Sequence, residues 1–277
     1  MQPDLVQNVS RRDWLRTTAQ AGLIVSLGRS LCVANAADDK PYGPFKMGIQ
    51  SYSLRNFKLL EALEKTKALG LGYWESFPAH IPADLAQVAA NRKLAADHGV
   101  TVGGFGVVHF TKDHDANRKM FDFGKALGIA YFSADPDADA FDSLDKCVDE
   151  YKIGVGIHNH GPGHKYGPIS TIAAAIKDHH KLIGCCVDTG HFLRSKEDPV
   201  EAAKVFKGRI HGVHLKDVKN ATEFVILGQG DLKLKELLKE LAAQNYSETL
   251  ALEYEENPEN PIADIEACLQ AVRKALA

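Results

Sequence analysis

The chain has 277 residues, of which 45% are apolar and 25% are charged, and its 33 basic and 36 acidic side chains give a formal charge of −3. A chain of this length can bury a sizeable core in one domain. The evenly mixed charges argue against a nucleic-acid partner, because such partners call for a basic surface. Twelve histidines are more than this length leads us to expect, whereas five scattered cysteines are too few for a disulfide scaffold.

The N-terminal segment is predicted to be an export signal. The run Ser10-Arg11-Arg12-Asp13-Trp14-Leu15 precedes an apolar stretch at 19–27 and a small-x-small pattern at 34–36. This arrangement resembles a twin-arginine signal, which implies the twin-arginine export machinery as a partner and a periplasmic location. We therefore expect a signal peptide at 1–36, a linker at 37–45 and one domain at 46–277. The alternative is an amphipathic N-terminal helix that stays attached.

Beyond residue 46, short β-rich runs alternate with segments of helical period. The helical pattern at 59–69, for example, ends at Gly70, a residue type that commonly follows a helix. Eight strands are predicted, at Met47–Leu54, Tyr73–Phe77, Thr101–Phe110, Tyr131–Ala134, Ile153–His158, Ile183–Asp188, Ile210–Lys216 and Thr249–Tyr254. Eight strand–helix units predict an α/β fold of the (β/α)8 TIM-barrel type. An open doubly wound sheet is the alternative, although no Gly-x-Gly-x-x-Gly turn follows the first strand.

Polar residues at the carboxyl ends of these strands are the candidates for function, because TIM-barrel enzymes carry their active sites at that face. No stretch after residue 36 approaches the roughly 18 apolar residues of a membrane-spanning helix, so stable membrane insertion is not expected. The residues expected to contact substrate at this rim are Gln50, Glu75, His80, His109, His191 and Asp217.

The last four predicted strands each end in a residue type that binds metals. These residues are His158, Asp188, His214 and Glu253, and they are separated by 30, 26 and 39 residues. Two imidazoles and two carboxylates suit one divalent ion such as Zn²⁺, Mn²⁺ or Co²⁺ better than Ca²⁺. Each residue alone could be an ordinary core histidine, helix cap or strand end, but four such residues at one rim favour a metal site. Because His160 shares a strand face with His158, either could be the ligand on the fifth strand.

Several segments together resemble the xylose isomerase-like sugar phosphate isomerase/epimerase superfamily over residues 46–275. The resemblance implies that Asp188, His214 and Glu253 bind the metal. One departure lies on the fifth strand, where sugar epimerases of this superfamily carry a metal-binding Glu and this chain has His158. A metal-bound imidazole has no free lone pair, so the two-carboxylate epimerisation scheme is in doubt. The segments that carry the resemblance are 48–54, 158–161, 187–191, 213–217, 228–231 and 252–255.

The resemblance implies a metal-dependent isomerase or epimerase that acts on a sugar or keto-sugar through an enediolate. The predicted export, and a rim without an arginine cluster or a glycine-rich phosphate cradle, lead us to expect an unphosphorylated substrate. Glu253, Glu255, His160 and Lys216 are the candidates for acid–base catalysis. One alternative is a lyase or hydratase that acts on 3-keto-sugars or 3-keto-glycosides by β-elimination. A second alternative is a periplasmic sugar-binding barrel without catalysis. The expected ligand is a small carbohydrate in each case, and homo-oligomerisation is left open.

Overall fold

The structure, a computed structural model, describes residues 40–277. The predicted signal peptide lies outside the described residues. Tyr42 and Phe45, within the predicted linker, are buried against the core, so packing begins a few residues before position 46. No helix within residues 40–277 is both long enough and apolar enough to cross a membrane.

Eight parallel strands close into a barrel, which confirms the predicted fold class. They are β1 (Lys46–Gln50), β2 (Tyr73–Ser76), β3 (Thr101–Val108), β4 (Tyr131–Ala134), β5 (Gly154–His158), β6 (Ile183–Asp188), β7 (Ile210–Leu215) and β10 (Thr249–Leu252). Each strand pairs with the next in this order, and β10 closes the ring against β1. Two further strands, β8 (Asp217–Lys219) and β9 (Glu223–Val225), form a separate antiparallel hairpin directly after β7.

Helices follow the barrel strands and cover the outside of the barrel with their apolar faces. They are α1 (Leu59–Ala68), α2 (Val88–Asp97), α3 (His114–Leu127), α4 (Phe141–Tyr151), α5 (Ile169–Ile176), α6 (Thr189–Arg194), α7 (Pro199–Val205), α8 (Leu234–Ala243) and α9 (Ile262–Leu276). Gly70 has a φ of +73° just after α1, in the left-handed region that a glycine adopts without strain. The predicted stop of this helix is thereby confirmed.

Five predicted strands extend too far at their carboxyl ends, and the first and the last of them matter for the site. Residues Ser51–Leu54 form a 3-10 turn instead of strand, because the Gln50 side chain accepts a hydrogen bond from the Tyr52 N–H and turns the backbone. The last strand ends at Leu252, so Glu253 and Glu255 lie in the loop that follows it. Both differences increase the number of polar side chains that loops, and not strands, present at the rim.

An aromatic cluster fills part of the layer between the barrel and its helices. The Phe132 ring lies 5.1 to 6.3 Å, centroid to centroid, from the rings of Phe105, Phe110 and Phe121. All four side chains are almost completely buried. They join β3 and β4 to α3, so their packing supports the half of the barrel opposite the predicted metal ligands.

Replacing Phe132 by alanine is expected to lower the free energy of unfolding by about 3–5 kcal/mol, because a large buried ring leaves a cavity that its neighbours fill only in part. Chemical denaturation of the purified domain measures this loss. Phe132→Leu, which keeps most of the apolar volume, is the matched control and should lose less stability. Equal stability of the alanine variant and the wild type would contradict the described packing.

Strand register brings the predicted metal ligands together. Asp188 at the end of β6 lies directly opposite His214 on β7. The Glu253 N–H donates a hydrogen bond to the Leu215 carbonyl at 3.1 Å, which holds the start of the β10 loop against β7. His158 ends β5, the strand next to β6. The closed barrel therefore gathers at one rim four residues that lie far apart in the sequence.

Candidate metal centre and active site

Four side chains converge on one point at the carboxyl end of the barrel. His158, Asp188, His214 and Glu253 are buried, and one ligand atom from each lies within 4.8 Å of the others. The His214 Nδ1 atom is 2.9 Å from Glu253 Oε2 and 3.1 Å from His158 Nε2. His158 Nε2 is in turn 3.3 Å from Asp188 Oδ2. Two nitrogens and two carboxylate oxygens thus face a common centre.

This group fits a divalent transition metal ion. The set of two imidazoles and two carboxylates matches the donors that Zn²⁺ and its neighbours prefer. Asp188 Oδ2 and Glu253 Oε2 are buried, and buried carboxylate oxygens are costly unless a cation is nearby. The structure also places His158, and not His160, with the other three residues.

The His214 ring is oriented by a buried carboxylate beneath it. Its Nε2 atom lies 2.9 Å from Glu75 Oε1, on the side of the ring away from Glu253. Glu75 is itself fixed by hydrogen bonds from Gln50, Ser133 and Tyr131. Burial alone would raise the pKa of Glu75, but the charge of His214 and these hydrogen bonds lower it below the usual value. Glu75 therefore stays ionised and directs Nδ1 of His214 toward the centre.

Replacing Glu75 by glutamine is expected to weaken metal binding about 10- to 100-fold, because a partner that fixes the ring of a metal-binding histidine contributes that much to affinity. Titration with Zn²⁺ in the presence of a competing chelator measures the dissociation constant. Glu61→Gln, on the surface of α1, is the matched control and should bind as the wild type does. If the dissociation constant of Glu75→Gln for Zn²⁺ were unchanged, Glu75 would have no part in orienting the metal ligand His214.

A lysine lies beside the same carboxylates. The Lys216 Nζ atom is 3.0 Å from Asp188 Oδ2 and 2.9 Å from Glu253 Oε2, and it also contacts Glu255 Oε1. Burial would lower the pKa of Lys216, but these three carboxylates raise it well above the usual value. Lys216 is therefore a charged ammonium group at neutral pH.

A cavity of about 240 Å³ opens onto this centre. Burial, followed by the neighbouring imidazoles, lowers the pKa of His160 to about 3, and burial is also the main cause that lowers the pKa of His191 to about 4. Both rings are therefore neutral at pH 7 and can accept a hydrogen bond. The lining residues are Gln50, Tyr52, Phe77, Gly106, Val107, His158, His160, His191, Lys216, Glu253 and Glu255.

The structure brings two of the six predicted substrate contacts, Gln50 and His191, to this cavity and places the other four elsewhere. Glu75 lies below the metal centre. The His80 ring is buried between the Ser51 hydroxyl and the Phe57 carbonyl. The His109 side chain is 55% exposed and pairs with an aspartate on the outer surface of the rim.

Asp217 is also occupied away from the cavity. Its carboxylate accepts hydrogen bonds from the backbone N–H groups of Val218, Gly228, Gly230 and Leu232. It therefore ties down the loop that follows the β8–β9 hairpin. This role explains the Gly-Gln-Gly-Asp segment at 228–231, where the glycine backbone approaches the carboxylate closely.

Sequence reasoning did not find the apolar wall of the cavity. Tyr52 and Phe77 stand edge to face with ring centroids 4.9 Å apart, and Val107 lies beside them. Aromatic residues are common at strand ends and carry no spacing signal of their own. The turn that replaces the end of the first predicted strand is what brings Tyr52 to the cavity.

Comparison with known proteins gives several partial matches in sequence and several matches in structure. An inosose dehydratase from Clostridium botulinum (strain Eklund 17B / Type B) is 33% identical over 101 residues, which make up 29% of this chain and 34% of that protein. The chain thus matches about a third of this relative's length. The crystal structure of IolI protein with a bound zinc atom has a TM-score of 0.67 at 16% identity, and the match covers 82% of this chain and 95% of that chain. This likeness shows the fold alone.

Two further findings cover most of the chain. The crystal structure of an uncharacterized protein from Parabacteroides distasonis ATCC 8503 matches with a TM-score of 0.66 and 30% identity, over 83% of this chain and 99% of that one. The family model described as "Xylose isomerase-like TIM barrel" matches residues 63–274, which is well over half of the chain. Together with the closed barrel and the four convergent ligands, these matches show that the chain belongs to the xylose isomerase-like TIM barrel family.

Proposed function

We propose that this protein is a metal-dependent lyase that removes water or another oxygen leaving group from a keto-sugar by β-elimination. The observation that carries the proposal is the ligand group, in which His158 stands where the epimerase scheme requires a carboxylate base. The partial match to an inosose dehydratase supports the same reaction class. We therefore favour elimination over the isomerase or epimerase activity that the sequence analysis put first.

We propose His158, Asp188, His214 and Glu253 as the ligands of one divalent ion. The bound ion would supply Lewis-acid stabilisation of negative charge on the substrate's carbonyl oxygen. His158 is engaged as a ligand in this arrangement and has no lone pair left for a proton. Glu253 shares its carboxylate between the centre and Lys216. Neither ligand is then free to act as a base.

Glu255 is the carboxylate best placed to move a proton. It lines the cavity, contacts Lys216 and is not one of the four ligands. We assign it the removal of the proton on the carbon next to the carbonyl. The C–H electron pair forms the new double bond, the bond to the β-oxygen breaks, and the protonated Glu255 returns the proton to the departing oxygen. The leaving group departs as water or an alcohol, and Glu255 is again ionised.

The remaining groups of the cavity position the substrate. Lys216 fixes the Glu255 carboxylate through their ion pair. His160 and His191, which are neutral, are suited to accept hydrogen bonds from sugar hydroxyls. Tyr52 and Phe77 offer an apolar wall for the face of a sugar ring. The cavity therefore combines one base, one metal centre, hydrogen-bond acceptors for sugar hydroxyls and an apolar wall for the face of the ring.

The proposal is tested by incubating the metal-loaded protein with an inosose in deuterated water. Elimination predicts a product that has lost the mass of one water and absorbs in the ultraviolet as a conjugated enone. An epimerase or isomerase instead gives an isomer of the substrate that has lost no water and carries deuterium next to the carbonyl. A panel of other keto-sugars follows under the same conditions. Isomers alone across the panel would overturn the lyase assignment, and no exchange at all would favour a sugar-binding protein.

We also propose that residues 1–36 direct the chain to the periplasm by the twin-arginine pathway. The proposal rests on the Arg11-Arg12 pair and the apolar segment that follows. Cell fractionation of the full chain should find the mature domain in the periplasm. Arg11→Lys with Arg12→Lys should retain it in the cytoplasm, and export of this double variant would contradict the proposal.

A further inference from the structure

The Asp-Thr-Gly segment at 188–190 positions Lys216 as well as the metal ligand Asp188. The Lys216 N–H donates a hydrogen bond to Thr189 Oγ1 at 2.8 Å, and the Thr189 hydroxyl donates to the Lys216 carbonyl at 2.6 Å. A Cβ atom on Gly190 would lie only 2.6 Å from Lys216 Cβ and would also meet the ring of Phe224. Thr189 thus fixes the Lys216 backbone by two hydrogen bonds, and Gly190 leaves room for the aliphatic part of the Lys216 side chain.

The clamped lysine directs its ammonium group at two of the oxygens that face the metal centre. Asp188 Oδ2 and Glu253 Oε2 lie 3.0 and 2.9 Å from Lys216 Nζ, and the same oxygens lie close to the histidine nitrogens of the ligand group. Glu255, its third partner, is outside that group. Lys216 therefore spans the ligand carboxylates and one carboxylate that does not bind the metal.

An ammonium group and a divalent ion repel each other when they share the same buried oxygens. Such repulsion is screened far less at a buried site than at the surface. Conversely, buried carboxylates without any cation destabilise a fold strongly. Lys216 can neutralise the ligand carboxylates when the ion is absent and move away from the ion when it is bound, because Glu255 offers its ammonium group a partner outside the metal ligands.

We propose that Lys216 is a built-in competitor of the divalent ion, which neutralises Asp188 and Glu253 when the ion is absent and shifts toward Glu255 when the ion binds. The lysine then sets the metal affinity below what the four ligands alone would give, and it stabilises the metal-free fold. This inference rests on the metal centre of the proposed function but not on the reaction, so it is tested without substrate.

The test uses Lys216→Met, which keeps the stem and removes the charge. Its dissociation constant for Zn²⁺, measured against a competing chelator, is expected to fall at least about tenfold below that of the wild type. The metal-stripped variant should melt at a lower temperature than the stripped wild type, and it should gain more from added Zn²⁺. Lys119→Met, on the exposed face of α3, is the matched control and should change neither value.

A double-mutant cycle with Glu255→Gln separates competition from simple loss of charge. In the wild-type background Glu255→Gln should weaken Zn²⁺ binding, because Lys216 loses its alternative partner. In the Lys216→Met background the same change should have little effect. Equal weakening in both backgrounds, or a Lys216→Met variant that binds Zn²⁺ no more tightly than the wild type, would overturn the proposal. Lys216→Gln, for which the same direction is expected, replaces the methionine variant if that variant does not fold.

Discussion

Replacing His214 by alanine is expected to weaken Zn²⁺ binding by more than about 100-fold and to abolish turnover. Loss of a ligand should weaken binding more than loss of a residue that only orients a ligand. His214 Nδ1 is close to two other members of the ligand group, and its ring also links the centre to Glu75. Its removal takes away one of four donors and leaves Glu75 buried without the imidazole that it contacts. Metal analysis and chelator competition on the purified variant measure the effect.

The matched control for this change is His98→Ala. His98 lies at the end of α2, far along the chain from the ligands, and bonds a helix carbonyl through its ring. It should retain the wild-type metal content and activity. A His214→Ala protein that keeps one ion per chain with wild-type affinity would show that the four residues converge for another reason.

Replacing Glu255 by glutamine is expected to lower kcat by about 10²- to 10⁴-fold, the contribution that a positioned acid–base group makes to catalysis. The change preserves size and hydrogen-bonding capacity but removes the ability to take a proton. Because Lys216 contacts both Glu255 and the ligand carboxylates, the assay is run with excess metal so that the site is fully loaded. Keto-sugar turnover and deuterium exchange are followed together.

The neighbouring Glu256 provides the control, because it is exposed and does not line the cavity. Glu256→Gln should have wild-type turnover. If Glu255→Gln kept full activity at saturating metal, the proton would have to move through another group, and the assignment of Glu255 as the base would be wrong.

The barrel and the metal ligands could be predicted from the sequence because both follow from simple periodic rules. Each strand–helix unit contributes one parallel strand, and all parallel strands of a closed barrel end at the same rim. His158, Asp188 and His214 lie at the ends of three strands and Glu253 directly follows a fourth, so their spacing predicts that they lie close together.

The roles of other polar residues could not be predicted because they depend on which way a side chain points after the strand ends. Glu75 points down into the barrel, where Gln50, Ser133 and Tyr131 satisfy its oxygens. Asp217 turns back onto its own loop. The position of a residue at a strand end does not show whether its side chain points into the barrel, onto its own loop or toward the substrate.

The β8–β9 hairpin was missed for a different reason. Each strand has three residues, too few to show an alternating pattern. Its Phe224 packs near His191 and above Lys216, so the hairpin covers one side of the site. Short covering elements of this kind become visible only when the chain is folded.

X-ray absorption spectroscopy of the protein loaded with one Zn²⁺ per chain identifies the atoms that bind the ion. A centre made of His158, Asp188, His214 and Glu253 predicts a shell of nitrogen and oxygen atoms at about 2.0–2.2 Å, with outer-shell scattering from two imidazole rings. The nearby buried Cys186, which together with Glu75 and His214 forms the other potential ligand group of the described residues, supplies the contrary case. A sulfur atom at about 2.3 Å, or scattering from a single imidazole, would contradict the proposed centre.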